Sequence, residues 1–501
     1  MKQNLLLVAA LGLSALRGLA ADPALTIYNQ NFAVVRDTVP LDLKAGVNDV
    51  TFADTTAHLE PDSVILRDPS GKVALQILEQ NYRNDPVSQD LLLSLFEGKT
   101  IDFLVKEEGK PDQTIQGKII RSGYVLHSQE AMQRYGQQYY QQQAATAYGA
   151  TGQPVIEVDG KIQFGLPGQP IFPSLGDDTI LKPALTWKLA AGAPAKLDAQ
   201  LAYITEGMSW EADYNVVAPE DGDLLDITGW VTMDNQSGKT FENAKIKLMA
   251  GDVNRIQNQN QPQQFAMARA ISAMPTPEVT QKAFDEYHLY TLPNATTLRD
   301  GETKQVEFIH ASGVKAEKIY VYDGLQVDWN RYGGYNPQAI RENQEFGTES
   351  NTKVAVMREF KNSEANHLGL PLPKGRLRFY KQDDNQLEFI GENVIDHTPQ
   401  DELVKVYTGN AFDLVGERTR TNFKVDNGNA WADESFEIKL HNHKKEAVEI
   451  RVVEHLYRWT NWDLTAKSDP FTKTNAQEIE FRIPLKPDED RTVTYTVHYS
   501  W

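Results

Sequence analysis

Apolar and polar residues alternate with a period of two through most of this chain from residue 24 onward. That period is typical of a half-buried β-strand, whose successive side chains point to opposite faces of a sheet. Residues 225–233 and 244–248 follow it on either side of a polar turn at 235–239. Residues 436–440 and 448–452 repeat this strand–turn–strand form. We therefore expect an all-β chain whose second half contains β-sandwich-like modules.

Short strands separated by turns also fill the first part of the chain. Residues 100–105 and 114–120 are rich in β-branched and apolar residues and are joined by a turn containing Gly and Pro. The run 155–164 has Asp159-Gly160 at its centre. This dipeptide is typical of a two-residue hairpin turn because both residues tolerate a positive φ. The pattern predicts a small N-terminal β domain built from hairpins.

Two segments interrupt the strand pattern. Residues 129–148 contain seven Gln and place Met132, Tyr135 and Tyr139 at helical spacing, which indicates an amphipathic helix or a mobile insertion. Residues 254–283 begin with an Asn/Gln run, continue through two prolines and show no period. We expect a flexible loop there.

The N-terminus has the features of a secretory signal peptide. Lys2 supplies a positive charge, residues 5–16 are apolar, and Gly18 and Ala20 are small residues suited to a cleavage site. The apolar run is too short for a membrane-spanning helix, so cleavage after Ala20 is favoured over retention as an N-terminal anchor.

Three segments are therefore expected: a signal peptide at 1–20, an N-terminal β domain at 21–200 and a C-terminal β-sandwich-like domain at 201–501. The mature chain is expected to have no transmembrane segment. It is expected to lie in the periplasm or outside the cell.

Charge and cysteine content exclude several classes of function. The chain has 50 Lys and Arg against 69 Asp and Glu, a formal net charge of −19, which disfavours nucleic acid as a partner. It has no cysteine, so it forms no disulfide, thiolate nucleophile, zinc finger or iron–sulfur cluster. No cofactor is expected.

The catalytic and metal motifs that the sequence offers all have simpler interpretations. Gly238-Lys239-Thr240 resembles the end of a phosphate-binding loop, but Met233 stands where that loop needs a glycine. Residues 312–315 have the S-x-x-K spacing of some serine enzymes, but Gly313 favours a turn into a following strand. Two histidines, at 441 and 443, share one strand face and are expected to face solvent rather than bind metal. We assign no catalytic residue and no metal ligand.

Aromatic residues in Gly/Asn-rich stretches are the candidate binding residues. They fall in two stretches of sequence: Trp329, Tyr332 and Tyr335 in the first, Trp459 and Trp462 in the second. Flat rings on a surface suit stacking against sugar faces or anchoring a protein partner. Packing in the core is the alternative, since Trp is usually largely buried.

Several phrases in the second half resemble a known family. They lie at 203–214, 229–248, 372–380 and 493–497. Over about residues 200–501 the chain resembles an exported bacterial family defined by a C-terminal domain of unknown function, which is also found in proteins labelled mucoidy inhibitor A. The resemblance implies a cell-envelope β-protein without established chemistry, and the mucoidy label implies an influence on exopolysaccharide.

The expected function is that of an exported cell-envelope or secreted β-protein that binds envelope polysaccharide, another saccharide or a protein partner. One alternative is an envelope hydrolase whose carboxylates are not identifiable from linear sequence, because their separation across the fold decides the matter. The other is a structural scaffold.

Overall fold

The computed structural model of the chain describes residues 22–106, 109, 111–124, 153–173, 175, 179–220, 222–251, 253–254, 280–284, 286–428 and 430–501. Strands make up 62% of it and helices 6%, which confirms the all-β class. The predicted insertion at 129–148 lies outside the described residues, as do residues 1–21 and 255–279. Within the described ranges no helix is long and apolar enough to cross a membrane.

Strands are numbered in chain order. They are β1 (Ala24–Tyr28), β2 (Phe32–Leu43), β3 (Gly46–Ala53), β4 (Ile65–Arg67), β5 (Gln76–Arg83), β6 (Thr100–Val105), β7 (Gln113–Arg121), β8 (Val155–Val158), β9 (Lys161–Phe164), β10 (Gln169–Ile171), β11 (Ala184–Ala191), β12 (Ala195–Glu206), β13 (Met208–Ala218), β14 (Leu224–Asn235), β15 (Phe241–Ala250), β16 (Thr280–Phe284), β17 (Tyr287–Thr291), β18 (Thr296–Leu298), β19 (Glu302–Asp323), β20 (Lys353–Lys361), β21 (Gly375–Asp383), β22 (Gln386–Ile395), β23 (Leu403–Asp426), β24 (Trp431–Asn442), β25 (Val448–His455), β26 (Trp462–Lys467), β27 (Phe471–Asn475), β28 (Glu478–Leu485) and β29 (Asp490–Ser500).

The helices are short. They are α1 (Gln89–Leu95), α2 (Trp329–Tyr332) and α3 (Pro337–Glu342), with 3₁₀ turns at Pro61–Ser63 and Glu364–Asn366.

The chain divides into two compact units. The first unit comprises Met1–Ser209, Asp234–Lys247 and Asn294–Thr303, and the second comprises the remaining segments up to Trp501.

In the first unit, β1, β2, β12 and β4 lie side by side in that order, and β18 pairs with β15. A three-stranded sheet has the order β3-β11-β5, and a five-stranded sheet has the order β10-β6-β7-β8-β9. Both predicted hairpins are confirmed in the five-stranded sheet, because β6 pairs with β7 and β8 pairs with β9 in antiparallel register. The turn residues Asp159 and Gly160 have φ values of 49° and 73°.

The five-stranded sheet has a small core of its own. Leu93, Ile101, Phe103, Ile119 and Ile156 are its buried members. β7 also contributes a glycine, at position 117, to this packing. A Cβ there would lie 2.8 Å from the ring of Phe103 and 2.9 Å from Ile156. Only glycine leaves room for that contact.

The second unit is built on a larger sheet. Its strand order is β22-β21-β13-β14-β19-β20-β23-β24-β29-β26, with β25 pairing with both β19 and β28, and β27 pairing with β28. Most neighbouring pairs are antiparallel, whereas β13 runs parallel to β21 and β19 runs parallel to β25.

Alternate residues of β24, β25, β28 and β29 meet in one hydrophobic core of the second unit. Its buried members on these strands include Phe436, Ile438, Leu440, Val448, Ile450, Val452, Ile479, Phe481, Ile483, Val493, Tyr495 and Val497. The strand–turn–strand pattern predicted at 436–440 and 448–452 is therefore confirmed, with its apolar residues inside.

Two local predictions are wrong. Residues 312–315 do not form a turn, because β19 continues from Glu302 to Asp323 and takes in Gly313 at a φ of 72°. The backbone N–H of Gly313 donates to the Asp226 carboxylate at 3.1 Å, so the left-handed residue is accommodated inside the strand. The predicted loop at 254–283 also ends earlier than expected, because β16 begins at Thr280 and pairs with β17.

Candidate aromatic binding surface

Residues 324–351, between β19 and β20, form an irregular stretch that we call the aromatic segment. Its two helices are too short to be stable alone and depend on capping and on tertiary contacts. The Asp328 side chain accepts hydrogen bonds from the backbone N–H groups of Asn330 (2.9 Å) and Arg331 (3.3 Å), which caps α2. Asn336 caps α3 by accepting from the N–H of Ala339 at 2.8 Å.

Three arginines from outside the aromatic segment hold its backbone in place. Arg458, 3% exposed, donates to four carbonyl oxygens of the segment. These belong to Ile340 (2.6 Å), Arg341 (3.1 Å), Asn343 (3.1 Å) and Phe346 (3.0 Å). Arg418 donates to the carbonyl of Gly347 at 2.7 Å, and Arg420 donates to the carbonyl of Gln344. The path of the segment is thus set by charge-assisted hydrogen bonds.

Two buried carboxylates pair with these three arginines. Glu434 accepts hydrogen bonds from Arg420 at 3.1 Å and from Arg458 at 2.8 Å. Glu454, which is fully buried, accepts from Nε of Arg418 at 2.9 Å and from the hydroxyl of Tyr495. Buried charges persist in proteins when they are paired in this way.

The pKa values in this network follow from burial and pairing. Burial by itself lowers the pKa of Arg418, but Glu454 and Tyr495 together more than offset it, so the pKa of this guanidinium is raised. Burial, reinforced by Glu454, raises the pKa of Tyr495 well above its usual value. Both oxygens of Glu454 accept from Arg418, and Oε1 of Glu434 accepts from two arginines. The two groups therefore stabilise the fold and are poorly placed to act as an acid–base pair.

Three aromatic rings stand exposed above this network, and we call them the aromatic surface. Trp329 is 56% exposed, Tyr335 41% and Tyr457 38%. The ring centroids of Trp329 and Tyr457 are 6.1 Å apart. Tyr332 is only 3% exposed and packs against Tyr335 at 5.3 Å. Of the first group of predicted residues, Trp329 and Tyr335 face solvent, and Tyr332 is buried against Tyr335 and Phe346.

The two predicted stretches of sequence converge. Besides the Trp329–Tyr457 contact, Arg341 of the aromatic segment lies 3.4 Å from the ring centroid of half-buried Trp459. Trp462 is also half-buried; its Nε1 donates to the carbonyl of Ala476 at 2.9 Å, and the Nζ of Lys473 lies 4.5 Å from its ring centroid. Trp459 and Trp462 are therefore largely engaged by protein groups.

Sequence reasoning missed Tyr457 and its hydrogen-bonded neighbours. The Tyr457 hydroxyl is hydrogen-bonded to Nδ1 of His455 at 3.0 Å, and Nε2 of His455 is hydrogen-bonded to Asp323 at 3.0 Å. The two rings stack with centroids 4.9 Å apart. The hydrogen bond to Asp323 raises the pKa of His455 against a smaller lowering by burial. The only sequence signal was the spacing of two residues between His455 and Tyr457, since Asp323 is distant along the chain.

Two groups of charged residues adjoin the aromatic surface, and we call them its flanks. In the first, Arg331 of α2, two residues after Trp329, pairs with Glu345 and, at 3.4 Å, with Glu349. In the second, His455, which stacks on Tyr457, lies between Asp323 at 3.0 Å and Glu478 at 3.5 Å.

In the part of the chain that the structure describes, no group of three or more His, Asp or Glu side chains is placed to hold a metal ion. The rings of His441 and His443 lie parallel, 6.2 Å apart, and Nδ1 of His441 pairs with Asp490 at 2.8 Å.

Comparison with known proteins identifies the family of this chain. Residues 199–501, more than half of the chain, match a family described as a domain of unknown function, DUF4139. No curated protein matches the chain. The aromatic segment and Tyr457 both fall within the matched residues, and the expected C-terminal domain of unknown function is confirmed. The chain belongs to the DUF4139 family.

Proposed function

We propose that this protein is exported to the cell envelope and binds a saccharide through the aromatic surface. The observation that carries the proposal is the exposure of Trp329, Tyr335 and Tyr457 on a backbone held by buried arginines. Exposed rings offer apolar faces that stack on the C–H faces of sugar rings, while the tyrosine hydroxyls hydrogen-bond sugar hydroxyls.

Rigidity of the aromatic segment supports a binding role. A ligand that meets an ordered surface does not bear the entropy of ordering it, so preorganised surfaces bind more tightly than mobile ones. The hydrogen bonds from Arg458 fix the segment between residues 340 and 346, and the Asp328 cap orders the helix that carries Trp329.

Export is supported by the signal-like features of residues 1–20. The resemblance to proteins labelled mucoidy inhibitor A supports an envelope role connected with exopolysaccharide. Fractionation of cells that express the whole chain tests this part of the proposal. We expect the protein in the periplasm or medium, with the mass of a chain that begins at Ala21. A cytoplasmic protein that retains Met1 contradicts export.

Binding is tested by calorimetry of the purified protein with a panel of soluble oligosaccharides. We expect at least one to bind, and W329A to weaken that binding by about tenfold, the loss of a central aromatic contact. The matched control is F412A, because Phe412 is 97% exposed on β23 and outside the aromatic surface. Binding unchanged by W329A, or a panel without any ligand, contradicts saccharide binding at this surface.

A further inference from the structure

We infer, on the basis of the proposed saccharide binding, that the aromatic surface selects amino sugars whose amine is free and protonated. The inference follows from the charged residues of the two flanks, which adjoin Trp329 and Tyr457. The ring centroids of these two residues are 6.1 Å apart. Those charges distinguish cationic saccharides from neutral and anionic ones.

Each flank sets two carboxylates against one basic group. Glu345 and Glu349 share Arg331, and their side chains are 68% and 46% exposed. One positive charge between two negative ones leaves an excess negative charge that faces solvent. The ion pairs hold these side chains in place without neutralising the flank.

The second flank, beside Tyr457, repeats this imbalance. Asp323 and Glu478 share the imidazole of His455, at 3.0 Å and 3.5 Å. A protonated His455 still leaves one excess negative charge there, and a neutral one leaves two. His455 stacks on Tyr457, so this charge adjoins an exposed ring of the surface.

A buried hydroxyl adds a second polar feature beneath the rings. The Tyr332 hydroxyl has no hydrogen-bond partner among the described residues, although its side chain is 3% exposed. An unpaired buried hydroxyl is unfavourable, so a ligand group that displaced the side chains covering it and bonded to it would recover part of that cost. Tyr332 packs against Tyr335 at 5.3 Å, at the edge of the aromatic surface.

Amino sugars match these features. Their rings present the C–H faces that stack on aromatic rings, and a protonated amine offers three donors to carboxylate oxygens. A uronic acid polymer brings its own carboxylates to two flanks that already carry excess negative charge, so it is repelled. A neutral sugar gains the stacking alone.

The test compares three oligosaccharides of equal length by calorimetry of the full protein. They are chitosan hexasaccharide, its fully N-acetylated counterpart and hexagalacturonate. We expect chitosan to bind at least about fivefold more tightly than the acetylated form, and the uronate most weakly. The preference should shrink as NaCl rises from about 20 mM to about 500 mM, because salt screens exposed charges.

Charge variants separate local recognition from the overall acidity of the chain. The double variant E345Q/E349Q leaves Arg331 without its carboxylates, so the preference for chitosan should fall at least about threefold. The matched control D42N/E79Q removes two other exposed carboxylates, each paired with a lysine in the first unit, and should leave the preference unchanged.

The outcomes distinguish this inference from the function on which it rests. If all three oligosaccharides bind equally and W329A abolishes that binding, the amino-sugar assignment is wrong and the proposed saccharide binding stands. If the preference for chitosan falls equally in E345Q/E349Q and in D42N/E79Q, the assignment is also wrong, because the preference would then reflect net charge alone. Absence of binding to all three, and to the wider panel, overturns the proposed function itself.

Discussion

Glu454 is a fully buried carboxylate whose partners are the guanidinium of Arg418 and the hydroxyl of Tyr495. The Arg418 guanidinium also lies 4.0 Å from the ring centroid of Phe436 in the core of the second unit. Removing one partner of such a pair leaves the other charged and desolvated. We therefore expect replacement of the Glu454 carboxylate by a neutral group to cost the most stability.

The substitution E454Q is expected to destabilise the protein by about 3–5 kcal/mol, because Arg418 loses its buried counter-charge. Urea unfolding followed by circular dichroism measures the change. The control E79Q removes a carboxylate from an exposed pair with Lys188 and should leave the unfolding midpoint unchanged. Equal midpoints for E454Q and the wild type would show that the buried pair contributes no net stability.

His455 gives the second unit a specific dependence on pH. Its pKa is raised by the hydrogen bond to Asp323 of β19, and Glu478 of β28, Glu454 of β25 and the Tyr457 hydroxyl also face it. Because the folded-state pKa lies above the unfolded value of 6.5, protonation stabilises the folded state. That stabilisation is complete below pH 6.5 and is lost as the pH rises through the folded-state pKa.

The variant H455Q should lack this dependence. We expect the wild type to exceed H455Q in unfolding midpoint at acidic pH, with the difference shrinking as the pH rises, measured by urea unfolding at a series of pH values. A difference that grows toward alkaline pH would mean that desolvation of His455 outweighs its pairing with Asp323.

At the scale of elements, the aromatic segment depends on helix caps more than on helix length. α2 has four residues, and Asp328 satisfies two of its N–H groups. Losing the cap should cost about 1 kcal/mol and fray the helix that carries Trp329. The arginine contacts lie further along the segment, so the damage should stay local.

Hydrogen exchange followed by mass spectrometry tests this expectation. In D328A, peptides covering 325–335 should exchange faster, while peptides from β24 and β29 stay unchanged. D328N is the control, because an asparagine side chain also accepts at the cap position. Faster exchange across the whole second unit in D328A would contradict a local role for the cap.

Strands and hairpins could be predicted from sequence because they are local. Asp159-Gly160 predicted the β8–β9 hairpin from two residues, and the alternation around Ile438 and Ile450 predicted which faces are buried. Gly313 shows the limit of local reasoning. A positive φ is compatible with a turn, and only the pairing of β19 with its neighbours shows that the strand continues.

The aromatic surface could be predicted only in part for the same reason. Trp329 and Tyr335 were identified by residue type and by their Gly/Asn-rich surroundings. Their juxtaposition with Tyr457 depends on where β19 and β25 lie in the sheet, and these strands pair in parallel although they are far apart in sequence. The arginines that hold the segment donate to backbone carbonyls, which leave no mark in the sequence.

At the scale of the whole molecule, two hydrophobic cores without a shared residue stabilise different parts of the chain. G117A is expected to strain the smaller core, because its Cβ would meet the ring of Phe103 at 2.8 Å. Overpacking of this kind costs about 1–3 kcal/mol. G192A is the control, because a Cβ at that glycine has open space.

The double variant G117A/E454Q tests whether the two cores are energetically independent. Substitutions without shared contacts add to within about 0.5 kcal/mol, so its destabilisation should equal the sum of the two single effects. Thermal and urea unfolding of the four proteins measure this sum. A departure of more than about 1 kcal/mol would show coupling between the cores.

The contacts of Arg458 have a consequence for how this protein can diversify. Arg458 donates hydrogen bonds to the main-chain oxygens of residues 340, 341, 343 and 346. Every amino acid has such an oxygen, whatever its side chain. Solvent-facing residues of the aromatic segment can therefore be substituted while its backbone conformation is retained. Such substitutions would change the chemistry of the aromatic surface, and with it the ligand, while the β-sheet that supports the segment stays the same.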